Sequence, residues 1–373
     1  MAVFTLPPEM IVFYKKHIEF ITDHAVDPDK RRYATKHEAV RHYIDLDVWG
    51  KPPFTDFPRT QLAAVTKYTD VFFINQKNDT IQMLGHELRV DEDENFVKYE
   101  NEVTPTLVIE QQRLKDFFYN NVLTQYYEDE KIIECDSFQK YFGDKVELDN
   151  CRKIIGIDRF SEYGVLPFHL QRMQRRLTEA FKIGDVKSIL RLSTELGHYV
   201  GDAHVPLHTT ENYNGQLTNQ NGIHAFWESR IPELFAEKEY DFFVGKATYV
   251  ENKTDLFWDI ILTSHSLVDS VLTIEKSLAH SFPKDKQFCF DERNERTVRI
   301  QCRAFAKAYS DRMKGMVEDR MTATVKVLGS LWYTAWVDAG QPNLSRLDSK
   351  DLAEQTKKQA EVLEEAVERG EPK

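Results

Sequence analysis

"GHYVGDAHVPLHTTENYNGQLTNQNGIHAFWE", residues 197–228, carries four of the chain's twelve histidines, with carboxylates set among them. The segment opens inside a helix. After Gly184 and Asp185, the apolar residues Val186, Ile189, Leu190, Leu196 and Val200 fall at helical spacing over 185–203. His198 and Asp202 are four apart in that helix, so their side chains leave one face with Cβ atoms roughly 5 to 6 Å apart. Gly197 and Gly201 each weaken a helix interior by about 1 kcal/mol relative to Ala, a pattern expected where another backbone passes close by. Pro206 ends the helix and His208 follows. An Asn- and Gly-rich loop comes next, and "IHAFWES" at 223–229 restarts a helix after Gly222. Within it, His224 and Glu228 repeat the four-residue spacing.

A neutral imidazole and a carboxylate are ordinary zinc ligands, at about 2.0 to 2.2 Å from the ion. The two His-x-x-x-acid pairs, bridged by His208, make His198, Asp202, His208, His224 and Glu228 candidate metal ligands. A single histidine on an apolar helix face is ordinarily a core residue bonded to a carbonyl; two such pairs within thirty-one residues point to a metal site. The motif is not H-E-x-x-H, which speaks against a zincin-type peptidase. His204, two residues from Asp202, points off the ligand face and reads as a structural or ligand-supporting residue.

The rest of the chain predicts helices over 9–25, 109–127, 167–182, 255–280, 295–318 and 319–338, from apolar residues three and four apart with charged opposite faces. The stretch "VFFINQKNDTIQMLG" at 71–85 differs. Two β-rich runs flank Lys77, Asn78 and Asp79 there, so a small hairpin is expected, within a surface insertion at about 66–104. Fold class is accordingly read as all-α: one compact multi-helix domain over 1–345 with that hairpin, followed by a charged helical tail at 346–373.

Composition limits the partners. At 373 residues and 41% hydrophobic content, the chain has ample material for a buried core. With 49 Lys and Arg against 61 Asp and Glu, the net charge of -12 argues against a broad basic surface for nucleic acid, so any phosphate binding must be local. No eighteen-residue apolar run spans a membrane. The opening "MAVFTLPPEMIVFYKK" has no basic n-region, and Pro7 and Pro8 interrupt any apolar signal core. Cys135, Cys151, Cys289 and Cys302 are too far apart for a zinc knuckle or a C-x-x-C redox pair, and suit either redox compartment.

"HYVGD" at 198–202, "VPLH" at 205–208 and "HAFWE" at 224–228 resemble, in order and spacing, the signature of the bacterial zinc-dependent phospholipases C and the fungal and plant single-strand-specific zinc nucleases. Upstream, "AVDPDKRR" places Asp27 fifteen residues ahead of His42 in "RHYIDLD", as in that superfamily, and "GSLWYTAWVDAG" at 329–340 is similar to its closing helix. Without the resemblance, Asp27 before Pro28 reads as a helix-stop residue and His42 as a half-buried ring. With it, the implied ligands are Asp27, His42, His198 and Asp202 around one zinc, and His208, His224 and Glu228 around a second with an open position. The implied fold is a compact all-α bundle. Members bind a third metal through an amino-terminal Trp and a following His; this chain begins with Met1 and its first Trp is Trp49, so a native segment carrying those ligands and an export signal is expected ahead of it.

The activity implied is hydrolysis of a phosphodiester, by hydroxide supplied when zinc lowers the pKa of water from about 15.7 to about 7. Asp27 is the expected catalytic residue, orienting or deprotonating that water. The substrate is a phospholipid headgroup or single-stranded nucleic acid, for which Tyr199, Tyr213, Phe226 and Trp227 are candidate stacking or cation-π partners. Location is periplasmic or extracellular by resemblance. Alternatives are a single-strand nuclease of the same superfamily and a zinc-binding protein without catalysis.

Overall fold

In a computed structural model of the chain, residues 1–101, 106–125, 128, 130–146, 148, 150–293 and 296–347 are described. Beyond Leu347, the charged tail expected at 346–373 lies outside them. The chain divides into two compact units: Met1–Lys51 together with the chain from Gly164 on, and Pro52–Tyr163.

The first unit is built on three long helices, Leu166–Ile183, Val186–His204 and Met316–Asp338, which pack on one another. Pro167 starts the first, where its missing N–H is not needed. Gly184 ends it at φ +75°, and Asp185 caps the second by accepting from the Ser188 amide at 3.2 Å. Buried polar bonds fix the register of this core. Gln174 Nε2 donates to the Leu331 carbonyl at 3.0 Å, the Trp332 indole to the Ser193 carbonyl at 3.1 Å, and the Tyr14 ring stacks on Trp332 at 4.7 Å. Among the described residues, no backbone makes the close approach expected at the two glycines: a Cβ at Gly197 would meet the Leu328 side chain at 3.0 Å, and at Gly201 nothing lies within 4 Å.

The second unit is rich in strands. β1 (Thr69–Asn75), β2 (Thr80–Leu84), β3 (Arg89–Glu92), β4 (Phe96–Tyr99), β5 (Leu107–Glu110), β6 (Glu130–Ile133) and β7 (Cys151–Asp158) form a four-stranded sheet of order β2-β1-β7-β6 and a three-stranded sheet of order β3-β4-β5. Val71, Phe73 and Ile154 of the larger sheet share a core with Phe117, Phe118, Phe138 and Phe142 from two helices. The insertion expected at about 66–104 falls inside this unit. A third, two-stranded sheet of β8 (Phe288–Arg293) and β9 (Arg296–Gln301) belongs to the first unit.

The all-α expectation is therefore wrong: helix accounts for 57% and strand for 14%, in three antiparallel sheets, so the fold is mixed α/β. The hairpin at 71–85 forms as β1 and β2, but β1 also pairs along its whole length with β7. The helix expected at 109–127 is preceded by β5 and runs only Gln111–Asn121 before a short 3-10 turn. That expected at 295–318 is β9 followed by Arg303–Arg312. Within "RTVRIQ", Val298 and Ile300 alternate with the long polar Arg299 and Gln301, the period of a strand.

All four cysteines pair, Cys135 with Cys151 and Cys289 with Cys302. The first ties a helix start to the start of β7; the second holds β8 against the N-cap of helix Arg303–Arg312. For closed loops of this length each bridge stabilises by about 3 kcal/mol. Reduction is expected to lower the urea midpoint of both units; midpoints unmoved under full reduction would assign the bridges no share of the stability. No helix among the described residues is long and apolar enough to cross a membrane.

Candidate metal centre

All candidate ligands lie in the first unit. Helix Val186–His204 carries His198 and Asp202 on one face, and His198 Nδ1 meets the Ala25 carbonyl at 2.9 Å. With Nδ1 donating, Nε2 keeps its lone pair. That atom is 3.2 Å from His42 Nδ1, 3.5 Å from Asp202 Oδ2 and 3.7 Å from Asp29 Oδ1. His42 Nδ1 is in turn 2.9 Å from Asp202 Oδ2 and 3.9 Å from Asp29 Oδ1. Asp29, His42 and His198 thus form one group whose donor atoms could hold a cation, with Asp202 alongside.

The second group is His208, His224 and Glu228. His208 sits in the 3-10 turn Pro206–Thr209 and its Nδ1 donates to the His42 carbonyl at 2.7 Å, while the Ile44 amide donates back to the His208 carbonyl at 2.9 Å. This two-point pairing aims Nε2 at His224 Nε2, 2.8 Å away, and at Glu228 Oε2, 3.3 Å away. Glu228 Oε2 lies 2.7 Å from His224 Nε2. Glu228 is carried by a π turn, Phe226–Arg230. Pro232, four residues on, has no N–H to bond the Glu228 carbonyl in α-helical register, which favours the wider turn there. Asp202 joins the groups: its Oδ2 faces His42 and its Oδ1 lies 3.6 Å from His208 Nδ1.

These donors fit a divalent cation. Two imidazoles and a carboxylate converging on one point leave a position open, as in catalytic metal sites, and an N/O set of this kind takes the borderline divalent ions. Burial opposes a charge on His208, but the carboxylates of Glu228 and Asp202 outweigh it and raise its pKa to about 9. Burial likewise opposes the Glu228 charge, yet His208 and His224 hold that carboxyl well below its ordinary range. Asp202 is lowered in the same way, against burial, chiefly by His198 and His208.

Asp27 is not in either group. Its Oδ2 bonds His24 Nδ1 at 2.6 Å and its Oδ1 pairs with Lys30 at 3.2 Å. The carboxylate that reaches His42 and His198 is Asp29, half-exposed and two residues on. Both lie in the short helix Asp27–Arg31, where positions two apart face nearly opposite ways. We expect Asp29→Asn to weaken cation binding at the first group about tenfold or more, and Asp27→Asn to leave it unchanged, by competition titration against a chromogenic chelator. The reverse order would return the role to Asp27.

His204 lies outside both groups, as expected: its Nδ1 bonds the Val200 carbonyl at 2.7 Å, and burial with Arg320 nearby lowers its pKa to about 3. The sequence reading missed Glu38. Fully buried, it takes Arg41 at 2.6 Å and the Tyr199 hydroxyl, and stands 3.9 Å from His42 Nε2. The only hint was its place four residues before His42. Of the four aromatic candidates, Tyr199, Phe226 and Trp227 are core residues; Tyr213 is 50% exposed, its ring 5.9 Å from that of His224.

Compared with known proteins, the chain matches no family model, no curated protein and no solved structure.

Proposed function

We propose that the protein is a zinc-dependent hydrolase of phosphoric diesters, akin to the phospholipases C and single-strand nucleases whose ligand motifs it resembles. One observation carries this reading: residues as distant in sequence as Asp29 and Glu228 meet in two adjacent groups whose donor atoms lie close enough to hold a cation, with the Asp202 carboxylate between them. Asp29, His42, His198 and Asp202 would hold one ion, and His208, His224 and Glu228 the other. Bound zinc supplies acidified water and charge neutralisation at the phosphoryl oxygens.

The chain's own residues do the rest. The Ala25 and His42 carbonyls fix the rings of His198 and His208, so that each presents a chosen nitrogen. Asp29 is the carboxylate placed to orient and deprotonate water, since both oxygens of Asp27 are engaged with His24 and Lys30. Tyr213 offers an exposed ring face to whatever the phosphodiester carries. Two disulfides accord with an oxidising, exported setting.

The test is metal content per chain alongside turnover of a bis-aryl phosphodiester. Two equivalents of zinc, with turnover lost on chelation and restored by zinc, support the reading. Metal bound without turnover leaves a metal-binding protein, and turnover that survives complete chelation overturns the metal-dependent mechanism.

A further inference from the structure

The two ring nitrogens of His42 have different surroundings. Nδ1 faces the first cation group, with Asp202 Oδ2 at 2.9 Å, His198 Nε2 at 3.2 Å and Asp29 Oδ1 at 3.9 Å. Nε2 is buried and has no hydrogen-bond partner among the described residues, in a side chain that is 2% exposed. A buried polar atom left unpaired is rare and costly. The carboxylate that faces it is Glu38, with Oε1 3.9 Å away.

Glu38 is carried by the short helix Lys36–Ala39, four residues ahead of His42, and is 1% exposed. Burying a carboxylate is costly unless it is paired and hydrogen-bonded, and three side chains meet that cost. Oε2 accepts from Arg41 Nη1 at 2.6 Å and lies 3.4 Å from Arg31 Nε, while Oε1 accepts from the Tyr199 hydroxyl and lies 3.5 Å from Arg31 Nη2. Arg31 is fixed in turn by Glu195 at 2.8 Å. Tyr199 follows His198 in helix Val186–His204, so the network ties Glu38 to the helix that carries His198 and Asp202. A carboxylate has about four acceptor positions. Arg41 and Tyr199 fill two of them, and Arg31 reaches in only at long range, which leaves Oε1 with capacity toward His42.

We propose that Glu38 is a positioning residue for the first cation group: with a cation on His42 Nδ1, the ring proton stands on Nε2 and is accepted by Glu38 Oε1. A ligating neutral imidazole keeps one proton, on the nitrogen turned away from the ion, and a partner for that proton fixes the tautomer and strengthens the ligand. The Ala25 and His42 carbonyls serve His198 and His208 in this way. At His42 a full charge takes the place of a carbonyl, and a charge-assisted hydrogen bond is roughly twice as strong as a neutral one. The present 3.9 Å exceeds hydrogen-bond length, so the ring and the carboxylate close by about 1 Å in the cation-bound chain. This rests on the cation-binding half of the proposed function and not on phosphodiester hydrolysis.

The experiment takes the full chain labelled with ¹⁵N at histidine, adds zinc to two equivalents at constant pH and follows the ring nitrogens by long-range ¹H–¹⁵N correlation; the His42 signals are those missing in His42→Gln. In the unmutated chain, zinc should move Nδ1 of His42 to the shift of a metal-bound nitrogen and leave the proton on Nε2. In Glu38→Gln, zinc affinity at the first group should fall about tenfold to a hundredfold by competition with a chromogenic chelator. The Nε2–H proton signal should move upfield as the charged acceptor is lost, and the second group should keep its affinity. Glu195→Gln is the matched control, since it takes an equal charge from Arg31 at an oxygen that goes to Arg31 rather than to His42; it should leave zinc affinity unchanged. Equal losses in the two variants would make Glu38 a mere partner of the arginines and overturn the proposal, as would unchanged affinity in a folded Glu38→Gln. Should Glu38→Gln fail to fold, the unmutated chain decides. A His42 that takes zinc through Nε2, with its proton on Nδ1, overturns the assignment while the His198 and His208 signals still report bound zinc. Zinc that moves none of the three rings overturns it together with the cation groups beneath it.

Discussion

His208→Ala is expected to lose the second cation equivalent and to reduce phosphodiester turnover by at least roughly the hundredfold that loss of a mere ligand-supporting partner can cost. The size follows from how much converges on this ring. Its Nε2 is one of three donor atoms of the second group, and its Nδ1 holds the carbonyl of His42, a member of the first. Its charge is the largest influence that keeps Glu228 ionised against burial, and it also stands 3.6 Å from Asp202. Truncation therefore strips one group of a donor, loosens the segment that positions the other and leaves the partly buried Glu228 carboxylate with one partner fewer. His204→Gln is the matched control, since that ring is turned to Val200 and lies in neither group; it should retain both ions. A His208→Ala protein that binds two equivalents and turns over normally would remove the paired-cation account altogether.

Much of the site could be read because it lies on helical spacing. His198 with Asp202 and His224 with Glu228 each sit four apart, and a helix puts such pairs on one face whatever surrounds it. The choice between Asp27 and Asp29 was of another kind. Two residues apart in one turn of "DPDKRR", the two carboxylates point in nearly opposite directions, and only the tertiary placement of that short helix against His42 decides which one faces that ring. The empty space beside Gly201 likewise could not be read from the segment itself, whereas the π turn under Glu228 had a local signal in Pro232. Strands were lost for reasons of length: β4 and β5, "FVKY" and "LVIE", hold four residues each, too few for an alternating period to stand out. "CRKIIGID" interrupts its apolar run with Gly156, yet it is the strand that joins β1 to β6 at the centre of the larger sheet. The cysteine pairings close loops whose ends meet only once those strands have formed.

Cation affinity at the second group should rise about tenfold per pH unit between pH 6.5 and 9 and level off above, because a ligand imidazole must be unprotonated and each ion displaces the proton of His208. Burial alone would make that ring easy to deprotonate, but Glu228 and Asp202 hold its pKa at about 9. The same proton fixes the sign of the stability change in the metal-free chain. A histidine whose folded pKa stands above the unfolded value of about 6.5 contributes stability in full below pH 6.5, and that contribution is lost as pH rises through 9. The loss for this group is on the order of 3 kcal/mol. Chelated protein should therefore unfold at lower urea concentration at pH 9 than at pH 6.5. Zinc-loaded protein should hold a nearly level midpoint across that window, since the tightening of binding offsets the loss in the metal-free fold. In His208→Gln the slope of the chelated protein should flatten as well. Parallel curves for the chelated and zinc-loaded chains would mean that no proton is exchanged for the ion, and that His208 is not among its ligands.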